Sequence, residues 1–133
     1  MEELRAVDDV PYMMRELLRD LAKRSPILGA TIVSMEGLPL FSYLNTGSDE
    51  AAIAVLVSSA YSAGLQTVKE LKQGHLKSVI IEGDAGTTLI LAISESHLLT
   101  VIAPENAKLG LVFNDAKQVG RRAARLLQDM EPI

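Results

Sequence analysis

The chain has no cysteine and no tryptophan, and only two phenylalanines and three tyrosines among its 133 residues. Without Cys there is neither a disulfide framework nor a thiolate metal site. So few aromatics leave no platform on which bases of single-stranded nucleic acid could stack. A formal net charge of -4 argues in the same direction, against a non-specific nucleic-acid binder. Met1 is followed by Glu2, Glu3, Arg5, Asp8 and Asp9, the wrong start for a secretory signal. No uninterrupted apolar run reaches the ~18 residues of a membrane span. The expectation is one cytoplasmic domain over residues 1–133, large enough for a core without covalent staples.

Motifs of chemistry are equally scarce. His75 and His97 both fall in predicted turns, where a pair of histidines is ordinarily solvated. There is no HExxH, no Walker-type loop and no pair of carboxylates in one predicted pocket. Gly83-Asp84-Ala85-Gly86-Thr87 is glycine-rich, but it opens a strand, and a phosphate cradle needs a helix start. The expectation is therefore no catalytic residue, no cofactor, no metal and no enzyme. Only a Ser/His/Asp set gathered from distant positions would escape this reading.

What the chain does have is periodicity. Val10, Met13, Met14, Leu17, Leu18 and Leu21 recur at helical spacing and predict a helix over 9–24, capped by Asp9 and with Pro11 in its first turn. Residues 1–8 read as an extension. Ser25-Pro26 ends the helix. Apolar runs over 27–35 and 38–44 flank a two-residue Glu36-Gly37 turn and predict a hairpin, with Pro39 calling for a second strand that lies at an edge or starts late. Three further strands are predicted over 76–82, 87–94 and 98–103, covered by helices on both faces because their apolar runs are nearly continuous. Pro104-Glu105 opens a last helix to about Met130, with Leu109, Val112, Phe113, Ala116, Val119, Gly120, Ala123, Leu126, Leu127 and Met130 inside. Its outer face carries Lys117, Arg121, Arg122 and Arg125. The bland reading of these cations, and of Arg15, Arg19 and Lys23, is a solvated helix face; the functional reading is a docking face for an acidic partner or a membrane surface.

The middle helix is the most informative element. It runs from Ser48, its expected N-cap, to Gly74, its expected stop. Leu56, Ala60, Ile53, Leu71, Gly64, Val57, Val68, Tyr61, Ala54 and Leu65 fill about half its circumference, against the roughly 100° that a single core contact requires. Beside them lie Ala51, Ala52, Val55, Ser58, Ser59 and Ser62, small and uncharged. Such a helix has a second surface to bury, against another chain. The fold class is α/β (α+β), in the order helix-strand-strand-helix-strand-strand-strand-helix. A five-stranded antiparallel sheet with helices on both faces packs it most simply.

This order resembles the roadblock / dynein light chain family. The resemblance rests on Gly29-Ala30, on the Glu36-Gly37-Leu38-Pro39-Leu40 turn and on the small-residue helix Ala51 to Gly64. Leu71, Gly74 and Leu76 ahead of Val79-Ile80-Ile81 and the Leu109-Gly110-Leu111 opening of the last helix complete it. The resemblance implies a homodimer, joined edge to edge through the strand after the long helix with the two long helices side by side. It also implies a non-enzymatic scaffold or regulator that binds a Ras-like small GTPase. On that basis Ala51, Ala52, Val55, Ser58, Ser62, Leu76, Ser78 and Ile80 are the expected dimer interface. Ser58, Ser59, Ser62, Gln66 and Lys69 are the expected partner contacts. The alternative is a small-molecule sensor or adaptor holding a ligand between sheet and helix.

Overall fold

The structure, a computed structural model, describes residues 2–44 and 47–130. Its elements are α1 (Glu2–Arg24), β1 (Gly29–Ser34), β2 (Pro39–Leu44), α2 (Glu50–Glu70), β3 (Val79–Gly83), β4 (Gly86–Ala92), β5 (His97–Pro104) and α3 (Leu109–Met130). The strands form one antiparallel sheet in the order β2-β1-β5-β4-β3. The expected element order and antiparallel sheet are both present, and β2, which opens on Pro39, is an edge strand.

Several boundaries differ for physical reasons. α1 starts at Glu2, so Asp9 is not its cap and Pro11 lies inside it. The missing proline N–H removes one helical hydrogen bond, which the long apolar stripe beyond it outweighs. Met1, the first residue of the expected extension, lies outside the described residues. The β1–β2 connection is longer than the expected two residues: four lie between the strands, and Ser34 N–H donates to the Leu38 carbonyl across Met35, Glu36 and Gly37. Gly37, at φ 90°, takes the left-handed position that such a loop requires. Asp49 rather than Ser48 caps α2, because its carboxylate accepts from the N–H groups of Ala51 at 3.0 Å and Ala52 at 3.3 Å. α2 stops at Glu70, ahead of Gly74. β3 begins at Val79, three residues later than expected, so Leu76 and Ser78 precede it. Pro104 closes β5, and α3 begins only at Leu109.

The two faces of the sheet are filled unequally. α1 and α3 cover one face through Met14, Leu18 and Leu21 on α1 and Val112, Ala116, Val119 and Ala123 on α3, around Ile32, Leu89, Leu99 and Val101. Alternate residues of the same strands point the other way. There Val33, Ile90 and Leu98 meet Ala54, Val57 and Tyr61 of α2, with Met35, Ile53, Ala60, Leu76 and Val79 half-buried around them. β1 and most of β5 are buried, as the continuous apolar runs require. β3 is not: four of its five residues are exposed, because no helix and no strand lies beyond it.

Candidate protein-binding interface

α2 touches its own sheet through a narrow stripe. Ala54, Val57 and Tyr61 are its buried residues, at i, i+3 and i+7 on one line of the helix. Burial raises the Tyr61 phenol above its ordinary pKa of 10.0. On one flank of this stripe, Ser58 donates to the Met35 carbonyl and ties the helix to the β1–β2 loop. On the other flank Ile53 and Leu56 face towards the β3–β4 end of the sheet, where they share a groove with Ile81, Thr88, Ile90, Thr100 and Ile102.

The wide apolar sector seen in the sequence is therefore mostly uncovered. Leu56 is 68% exposed, and Val55, Leu65 and Leu71 are exposed with it. The exposed hydroxyls add little polarity. Ser59 donates to the Val55 carbonyl at 2.8 Å and Thr67 to the Ala63 carbonyl at 2.7 Å, each four residues back in the same helix. By length and composition alone α2 could cross a membrane, with a mean hydropathy of 1.4 over its most apolar window. Ser58, Ser59, Ser62 and Thr67 break its apolar run, so no uninterrupted stretch reveals it in the sequence.

The groove beside Leu56 has a volume of about 220 Å³. Its walls are aliphatic, apart from two threonines. The Thr100 hydroxyl is buried there without a hydrogen-bond partner. Below the groove the β3 edge is open. Its residues alternate: Ile81, opposite Thr88, lies on the α2 side, and Ile80, opposite Leu89, on the α1/α3 side. They are 48% and 51% exposed.

Among the expected interface residues, Ala51, Ala52, Val55, Ser59, Ser62, Gln66 and Lys69 are exposed on α2. Ser58 is half-buried and engaged by the β1–β2 loop. Val55 and Ser62 share its flank by helical spacing. Leu76 and Ser78 are half-buried, and Leu76 packs against the α2 cluster. Ile80 is exposed on the edge strand. Two prominent residues were not in the expected set. Leu56 stands in the sequence only as one member of the wide apolar sector, and Ile81 differs from Ile80 only by strand parity, which the sequence alone does not orient.

The chemistry elsewhere is thin. Among the described residues no three His, Cys, Asp or Glu side chains come together as metal ligands. His97, expected in a turn, opens β5 instead, and its Nδ1 lies 2.8 Å from the Ser94 hydroxyl of the exposed β4–β5 loop. The Ser96 N–H donates to that same hydroxyl, so the pair braces the loop.

A sheet carrying two helices on one face and a single long helix on the other, with a free edge beside that helix, defines the class of domain. The Roadblock/LC7 domain model matches residues 13–103, and the chain belongs to that family. It is 31% identical over 110 residues to the uncharacterized protein MJ1340 of Methanocaldococcus jannaschii, covering 83% of this chain and 96% of the relative. Among solved structures it is similar to Myxococcus xanthus MglB, with a TM-score of 0.85 at 17% identity over 92% of this chain and 93% of that one. It is similar also to the Roadblock/LC7 domain from Streptomyces avermitilis, with a TM-score of 0.80 at 20% identity over 86% of this chain and 97% of that one. At those identities the two structures share the fold.

Proposed function

We propose that this chain is a non-enzymatic homodimeric scaffold that binds a Ras-like small GTPase. The observation that carries the reading is the uncovered α2 face with the open β3 edge beside it. Leu56, Val55, Leu65, Leu71, Ile80 and Ile81 are large apolar side chains left in water. Fully burying each would contribute about 1.5–3 kcal/mol. An unpaired edge strand beside them is a second liability that a second copy removes. The Leu56 flank faces the β3 side and suits the twofold contact; the outer face of α2, with Ser59, Ser62 and Gln66 and with Lys69 at the rim, stays open for the GTPase. The GTPase rests on the family, whose members characteristically regulate or scaffold such proteins.

Sedimentation at micromolar concentration is expected to give a dimer, and Leu56→Arg a monomer. The dimer, used as bait in its native cell extract, is expected to retain a small GTPase identified by mass spectrometry. Ser59→Trp is expected to release it while leaving the dimer intact. A monomeric wild-type protein would refute the dimer, and a dimer that retains no GTPase would refute the partner.

A further inference from the structure

The basic residues of α3 do not form one face. Arg122 and Arg125 line a groove with Glu16 and Asp20 of α1, so their charge has acidic neighbours. Arg122 also shares a cleft with Asp20, Lys23 and Arg24. The solvated-face reading accounts for these. Lys117 and Arg121 are different. They line a separate groove of about 510 Å³ with Lys77, which precedes β3, and the lining contains no carboxylate. In a chain of net charge -4 this is a local reversal of sign.

The groove has a defined shape. Lys117, Gly120, Arg121 and Ala124 follow one another along α3 at helical spacing and form one wall. Lys77 stands on the other wall, and Leu91, Ala92 and Ile93 supply apolar lining between them. Gly120 lets α3 pack closely on Ile93, since a Cβ there would meet Ile93 Cγ2 at 3.1 Å. The Lys117 ammonium lies over the Phe113 ring, 4.4 Å from its centre, which holds it at one end of the wall. The last pair between β3 and β4 is Val79 with Ile90, whereas β4 continues beside β5 to Ala92. Leu91 and Ala92 therefore have no strand beside them on the groove side.

We infer that this groove docks a short extended acidic peptide segment from a partner protein, on the face of the sheet opposite α2. Lys117 and Arg121 are separated by about 6 Å along the helix axis at 1.5 Å per residue. Alternate residues of an extended chain are separated by about 6.7 Å. Two carboxylates spaced i, i+2 match the two cations, and the residue between them faces Ala92, Ile93 and Lys77. A membrane is disfavoured by shape, since a flat surface would meet the cationic rims and leave the apolar lining uncovered. The site goes beyond the GTPase reading and does not depend on it. With the two faces independent, the domain would join two partners.

The test uses the full chain and a fluorescent peptide of alternating glutamate and leucine, with the glutamine-for-glutamate peptide as control. The expected result is saturable binding of the acidic peptide alone, weakening with salt. The double variant Lys117→Glu with Arg121→Glu is expected to weaken it by at least about tenfold, because both close charge pairs are reversed. Lys77→Glu is expected to do the same to a smaller degree. Leu56→Arg is expected to leave peptide affinity unchanged, which separates this site from the α2 interface. Unchanged circular dichroism and melting temperature of the charge-reversed chains establish that they fold. The proposal is overturned if neither peptide binds, if both bind equally, or if the double variant binds as well as the wild type. It is overturned too if vesicles containing phosphatidylserine bind this face and the peptide does not.

Discussion

The α1/α3 face of the sheet and the α2 face are built from alternate residues of the same strands, yet they end in different states. Among the described residues the first face gathers sixteen buried apolar residues, from Met14 to Leu127. The second gathers six, and three of those belong to α2. The difference comes from the number of helices. Two helices side by side close over a five-stranded sheet. One helix touches it along a single stripe and leaves an apolar flank on either side. The closed face holds the monomer together. The open face retains hydrophobic free energy that only association can use.

The largest effect expected from breaking this comparison lies on the closed face. Leu18 is fully buried between α1 and the sheet. Leu18→Ala is expected to cost about 2–5 kcal/mol, through lost burial and the cavity left behind. Urea denaturation measures it as a lower midpoint with little change in slope. Leu56→Ala, the same chemical change on the open face, is expected to move the unfolding of the isolated monomer by less than about 0.5 kcal/mol. Its effect is expected in the dimer dissociation constant instead. If both substitutions destabilised the monomer equally, the two faces would not differ as described.

How much of this was legible beforehand follows the same division. The closed face could be read from the chain because every part of it repeats a period. Val10, Met14, Leu17, Leu18 and Leu21 recur on one helix, and Val112, Ala116, Val119 and Ala123 on another, and all are buried, whereas Met13 and Met130, expected on the same faces, lie at their margins and are exposed. The open face was legible as an excess of apolar surface, but not residue by residue. A helical wheel ranks positions by hydropathy; it does not say which few the sheet reaches. Leu56 and Val57 are adjacent and equally apolar, and one is exposed while the other is buried. Likewise nothing in the order Lys117, Arg121, Arg122, Arg125 shows that Glu16 and Asp20 reach the last two and not the first two. That separation is made by the packing of α1 on α3.

The remaining effects are at the ends of α2, where the open face begins and stops. Asp49 satisfies two N–H groups at the N-terminus, and its carboxylate also faces the positive end of the helix dipole. Asp49→Ala is expected to cost about 1 kcal/mol. Asp49→Asn should recover most of it, since the amide oxygen can accept the same bonds. A smaller loss in Asp49→Ala than in Asp49→Asn would assign another role to this residue.

At the C-terminal end one substitution is expected to act with the opposite sign. Gln73 N–H donates to the Val68 carbonyl at 2.8 Å, and Lys72 N–H donates to the Lys69 carbonyl at 3.2 Å. This is the paired bond pattern of a Schellman stop, with Leu71 as the C-cap and Lys72 in the next position. That position requires left-handed backbone, and Lys72 has φ 56° there. A side chain with a Cβ is strained in this region by about 1–2 kcal/mol, and glycine is not. Glycine gives back about 0.5–1 kcal/mol of this through the greater freedom of the unfolded chain. Lys72→Gly is therefore expected to stabilise the domain by about 0.5–1 kcal/mol. Lys72→Val, with a branched Cβ, is expected to destabilise it by at least about 1 kcal/mol. Thermal unfolding of the two variants beside the wild type measures both signs at once. If Lys72→Gly lowered the melting temperature, the strain at this turn would be more than offset by a contact of the Lys72 side chain.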